Sequence, residues 1–158
     1  MKLLIMSDSH RNIDYMLLAV EQTNPNAIMH LGDHTSDAVN LQRRFPDTTV
    51  YIIRGNCDPN FSGEAALLLP VEGVKILLTH GHIFDVKTGL ESLVEHAIQQ
   101  EADLVLFGHT HKALIEQKNG LTLMNPGQMR QHDSFFTASY GVVTLSDGKF
   151  DCEIVYFP

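Results

Sequence analysis

Lys2-Leu3-Leu4-Ile5-Met6-Ser7-Asp8-Ser9-His10 sets a short apolar run directly against a polar tetrad. A run without alternation reads as a strand buried on both faces, here leading into a loop. The same shape recurs along the chain. Ala27 to Leu31 ends in Gly32-Asp33, and Thr49 to Ile53 ends in Arg54-Gly55-Asn56. Val74 to Leu78 ends in Thr79-His80-Gly81-His82, and Leu104 to Phe107 in Gly108-His109-Thr110-His111. Each run stops at a residue able to bind a metal. Ligands of αβ sheets bind beyond the carboxyl ends of the strands. Strands lying side by side would therefore bring Asp8, His10, Asp33, Asn56, His80, His109 and His111 to one rim. Within Asp8-x-His10 and His109-x-His111 an extended backbone would aim both side chains the same way. Glycines before Asp33, Asn56 and His109 allow tight bends and close approach.

Helical patterns separate the runs. Asn12 to Gln22 carries Ile13, Met16, Leu17 and Val20 on one face; Ser36 to Phe45 follows, with Ser36 as its cap. Thr88 to Gln100 is a third helix. Later segments pair as hairpins: Ala65 to Leu69 with Val74 to Leu78, 113–117 with 121–124 around Asn119-Gly120, and 140–145 with 150–157 around Asp147-Gly148. The expected class is α/β, a mixed β-sheet sandwich flanked by helices, as one domain over residues 1–158.

Composition narrows the function. The net charge is −8 and Arg43-Arg44 is the only adjacent basic pair, so polymeric nucleic acid is not an expected partner. No run of about 18 apolar residues signals a membrane span. The apolar start is too short for a signal peptide, which gives a cytoplasmic expectation. Two cysteines, Cys57 and Cys152, make no disulfide framework; Cys152 reads as an inert core residue.

The candidate ligands mix imidazole, carboxylate and amide, without a thiolate cage. Such a set suits Mn, Ni, Co, Fe, Zn or Mg. Seven ligands exceed the four of one zinc. Two ions sharing Asp33 fit better: Asp8, His10, Asp33 and His111 on one, and Asp33, Asn56, His80 and His109 on the other. Two divalent ions, two carboxylates and a hydroxide leave roughly +1, a charge suited to a phosphate ester.

In order and spacing, Asp8-Ser9-His10, Gly32-Asp33, Gly55-Asn56, His80 and Gly108-His109-Thr110-His111 closely resemble the motifs of the calcineurin-like metallophosphoesterase superfamily. Gly55-Asn56-Cys57-Asp58 and Asn125-Pro126-Gly127 look like its small YfcE-like phosphodiesterase branch. The resemblance implies a four-layer αββα fold, a metal-bridging hydroxide, a preference for Mn and hydrolysis of small phosphodiesters. It also implies homo-oligomerisation, which is common in that branch. Asn56 and His80 would then act in catalysis as well as metal binding. Two positions depart from the pattern. Cys57 stands where many members have a general-acid His, which would favour leaving groups of low pKa. Gln128 stands where the branch has Ser.

The same site would serve a phosphomonoesterase. A non-catalytic scaffold of the retromer-subunit type shares the fold, but usually with a degraded ligand set. Other residues keep two readings each. His82 touches phosphate, supports a ligand, or simply occupies a loop. Asp58 orients the Asn56 loop or caps a turn. His34 lines the pocket or is exposed. Arg11 and Arg130 clamp an anion or face solvent. His30, His96 and His132 read as structural or surface residues.

Overall fold

The computed structural model describes residues 1–130, 135 and 137–158; His132 lies outside them. Its elements run β1 (Lys2–Met6), α1 (Ile13–Thr23), β2 (Ala27–His30), α2 (Thr35–Arg44), β3 (Thr49–Ile52), β4 (Ala66–Val71) and β5 (Val74–Thr79). A 3-10 turn (His82–Phe84), α3 (Glu91–Gln99), β6 (Leu104–Leu106), β7 (Leu114–Lys118), β8 (Leu121–Asn125), β9 (Ser139–Ser146) and β10 (Lys149–Tyr156) complete it.

The strands form two five-stranded sheets, ordered β10-β9-β1-β2-β3 and β4-β5-β6-β8-β7. Both are mixed. β1, β2 and β3 are parallel neighbours, as are β5, β6 and β8. Hairpins add antiparallel strands at the edges.

Side-chain alternation explains the layering. Leu3, Ile5, Ala27, Met29, Ile76, Leu78, Leu104 and Leu106 meet between the sheets in one core. The intervening residues point outward. Leu4, Met6 and Ile28 pack on Met16, Ala19 and Val20 of α1 and Leu41 of α2. Leu77, Val105 and Phe107 pack on Leu93, Val94 and Ala97 of α3. Both faces of the central strands are thus covered, which is why their sequence lacks polar alternation. The result is the expected four-layer αββα sandwich.

Three local expectations are corrected. The five ligand-bearing strands do not lie side by side in one sheet: β1–β3 belong to one sheet, β5 and β6 to the other. Ser36 does not cap α2. The helix begins at Thr35, and its first amide and hydroxyl donate to Asp58 Oδ1 at 2.9 and 3.2 Å. An acceptor brought from the next loop, a carboxylate well placed at a helix N-terminus, takes the capping role. Residues 85–90 turn before α3, which starts at Glu91 rather than Thr88; Thr88 instead bonds back to Asp85.

Candidate metal centre

The parallel strands of both sheets release their loops at one edge of the sandwich, and there the seven candidates meet. Asp8 is buried; its Oδ2 accepts from Ser7 Oγ at 2.6 Å and His109 N at 3.2 Å. Among the described residues its Oδ1 takes no hydrogen bond, although His111 Nε2 stands 3.1 Å away. His10 lies 5.3 Å ring to ring from His111, and its buried Nε2 has no partner among the described residues. Across the site, His80 Nδ1 donates to Leu31 O at 2.7 Å, which turns Nε2 inward. That nitrogen faces Asn56 Oδ1 at 3.0 Å, His109 Nδ1 at 3.2 Å and Asp33 Oδ2 at 3.5 Å.

Two sets of donor atoms each close to within 4.8 Å: Asp8, His10 and His111, and Asp8, Asp33 and His80. Asp8 is common to both. Buried acceptors and imidazoles without hydrogen-bond donors suit a cation. The electrostatics agree. Burial opposes ionisation of Asp8 and Asp33, yet His111 and His80 hold Asp8 below the usual carboxylate range, and His80 with the Cys57 amide does so for Asp33. Burial works against the His80 cation, but Asp33 and Asp8 raise its pKa. His109 is held down to about 4, first by burial, then by His80 and Lys87.

The backbone that aims these ligands is not extended, contrary to expectation. Asp8, His10, Asp33, His109 and His111 all have φ between 48° and 67°. This left-handed region is tolerated best by Asp, Asn and His after glycine. Two glycines are required by proximity: a side chain at Gly55 would collide with Asp33 Oδ1, and one at Gly108 with Ser7 Oγ.

Loop order is enforced by buried polar groups. Asp58 Oδ2 accepts from Asp33 N at 2.8 Å and Gly55 N at 2.9 Å, so this one carboxylate ties the Asp33 and Asn56 loops to α2. A second network escaped the sequence reading. Gly32 N donates to His30 Nδ1 at 3.3 Å, so His30 Nε2 carries the proton and donates to Ser9 Oγ at 3.0 Å. Ser9 in turn donates to Asp37 Oδ2 at 2.7 Å, which also accepts from Arg11 N at 2.8 Å. Only the position of His30, two residues before Gly32-Asp33, could have signalled it. Asn125 was read as part of a turn; its Nδ2 holds Gly108 O at 2.9 Å and Thr110 Oγ1 at 3.0 Å.

The remaining candidates sit around the cage. His34 Nε2 meets His10 Nδ1 at 3.1 Å and lines a hollow of about 470 Å³ with Cys57, Arg43 and Phe61. Cys57 is exposed; its amide donates to Asp33 Oδ1 at 2.8 Å, while Asn56 Nδ2 approaches its Sγ at 3.5 Å. Partial burial and then Asp33 push its thiol pKa up. His82 lies 5.5 Å from the His80 ring, and its buried Nδ1 has no partner among the described residues. Arg11 and Arg130 line another hollow beside His10. Gln128 is fully buried. His96 lies tilted against Phe84 at 4.9 Å ring to ring, away from these ligands.

A two-sheet sandwich with a carboxylate–imidazole cradle at its strand ends defines a metallophosphoesterase-type protein. The chain belongs to the calcineurin-like phosphoesterase superfamily: residues 1–148 match that family's domain model. It is 34% identical over 153 residues to the protein named "Probable metallophosphoesterase YsnB" of Bacillus subtilis, covering 93% of this chain and 86% of that one. It is 30% identical over 126 residues to "Phosphodiesterase YfcE" of Escherichia coli, covering 69% and 64%. The fold also superposes on Entamoeba histolytica Vps29, solved with zinc, at a TM-score of 0.79, 21% identity and full coverage of both chains. No helix among the described residues is long and apolar enough to cross a membrane.

Proposed function

We propose that this chain hydrolyses small phosphodiesters with a pair of divalent cations, manganese foremost. The observation that carries the reading is the pair of donor clusters that meet at Asp8. The kinship with YfcE, named a phosphodiesterase, supports the diester assignment. We assign Asp8, His10, Asp33 and His111 to one cation and Asp33, Asn56, His80 and His109 to the other; the ligand shared in this assignment is Asp33, whereas the residue common to the two donor clusters is Asp8. Bound there, such ions acidify water and draw phosphoryl oxygens.

The chain's own groups do the rest. Asp8 and Asp33 stay ionised at neutral pH, given their lowered pKa values. The Leu31 carbonyl fixes the His80 tautomer so that Nε2 is the inward atom. We assign Asn56 and His80 to flank the reacting phosphate and His82, 5.5 Å ring to ring from His80, to meet a phosphoryl oxygen. Arg11 and Arg130 complete an anion-attracting rim. The Cys57 thiol stays protonated and is a weak proton donor, so aryl leaving groups suit this site better than alkyl ones.

Metal analysis of the purified protein tests the reading, with chromogenic mono- and diesters offered alongside Mn, Ni, Co, Zn and Mg. The expected result is metal-dependent cleavage of bis-p-nitrophenyl phosphate in preference to p-nitrophenyl phosphate. Asp33→Ala should release both ions, and His111→Ala chiefly one. A monoester preference would select the phosphomonoesterase. Absence of any metal-dependent turnover would select the scaffold reading that the Vps29 likeness raises.

A further inference from the structure

Lys87 and Lys112 flank a hollow of about 410 Å³ whose floor is Val86, Leu90, Phe107 and Leu114. Phe107 and Val86 are buried at 1% and 5% exposure, so the floor belongs to the packed interior and is preformed. A cavity of this size suits a ligand group with an apolar body.

The hollow adjoins the cage through shared loops. Lys112 directly follows His111, and Lys87 lies in the connection that begins with His80 and His82. Thr110, between the two cage histidines, forms part of the wall. Its Oγ1 accepts from Asn125 Nδ2 at 3.0 Å and from Lys112 N at 3.3 Å, which holds this turn in place.

The charges here run against the rest of the molecule. The chain has 19 acidic and 11 basic residues, so acidic partners are plentiful. Lys75 and Lys118, in the same half of the sandwich, pair with Glu101 at 2.7 Å and Glu91 at 3.0 Å. Neither Lys87 nor Lys112 has a carboxylate within 4.0 Å among the described residues. Two ammonium groups with no carboxylate partner among the described residues, set over an apolar floor, suit an anion carried on an apolar body.

We propose that this hollow is a substrate subsite for a second anionic group, a phosphate or carboxylate joined to the scissile phosphate through an apolar or aromatic segment. The proposal rests on the phosphoesterase reading above and narrows its substrate class. The arm lies on Leu90 and Leu114, which the buried Phe107 backs, and its terminal anion reaches Lys87 and Lys112. A diester ending in a cation, such as a choline ester, is disfavoured at the same place.

Two thymidine 5′-(p-nitrophenyl phosphate) esters, one with a free 3′-hydroxyl and one with a 3′-phosphate, test this on the manganese-loaded protein. The 3′-phosphorylated ester should show kcat/KM higher by about tenfold, mostly through KM. That advantage should shrink in high salt. The double substitution K87Q/K112Q should make the two esters equivalent. Equal kcat/KM in the unsubstituted protein, or a preference that survives K87Q/K112Q, would overturn the subsite. Calorimetry with thymidine 3′,5′-bisphosphate against thymidine 5′-monophosphate gives a readout free of turnover. Tighter bisphosphate binding that K87Q/K112Q removes supports the subsite, and equal affinities refute it. If neither ester is cleaved, the hydrolase reading fails, and the calorimetry still decides the subsite.

Discussion

At the scale of single residues, the role proposed for Cys57 sets the chemical range expected of the site. It follows Asn56, its amide is bonded to Asp33, and its thiol is held protonated. On that proposal a protonated thiol suffices for a departing aryl oxide, which needs no proton, and does little for an alkoxide, which does. Cys57→His would place an imidazole there, and general acid catalysis typically contributes about 10²–10⁴-fold. The expected outcome is a rise in turnover of alkyl phosphodiesters with little change for bis-p-nitrophenyl phosphate. An unaltered alkyl-to-aryl ratio would remove the argument. The seven ligand candidates were legible because their chemistry stands at strand ends. Their left-handed backbone was not, since Asp and His also adopt extended and helical backbone and the local sequence does not choose among these.

At the scale of elements, the site depends on how loops are tied together. Asp58 meets the amides of Asp33, Thr35 and Gly55 and the Thr35 hydroxyl, so β2, α2 and the loop after β3 share one anchor. Asp58→Asn turns an amide group toward donors that expect an acceptor. A loss of about 1–3 kcal/mol is expected in urea unfolding. Affinity should fall for the cation assigned to Asp33 and Asn56, measured by metal titration; unchanged stability and affinity would show the anchor to be dispensable. Helix positions were legible from their apolar spacing. The start of α2 was not, because its acceptor lies 23 residues downstream of Thr35, outside the reach of local capping patterns.

At the scale of the whole molecule, apolar runs announced the strands but not their division between two sheets. Leu3 and Leu78 are equally suited to either sheet; only long-range pairing and the facing core decide. The same long-range packing buries His30 completely and holds its pKa near 4, against 6.5 for a free side chain, chiefly by burial. Between those values the unfolded chain binds the extra proton. The stability this group contributes is therefore complete above about pH 6.5 and is lost as pH falls toward 4, on the order of 3 kcal/mol. His10, His82 and His109 act in the same sense, their pKa values also being lowered. His30→Gln should flatten the fall in urea midpoint between pH 6.5 and 4.5; a slope identical to that of the unsubstituted protein would count against His30. The left-handed turns carry one more implication, for the history of the fold. They constrain the chain only while a cation has to be reached. A descendant freed from hydrolysis could let glycine drift into those five points at little harm to its architecture. Retention of Asp and His there would then mark which branches still work as catalysts.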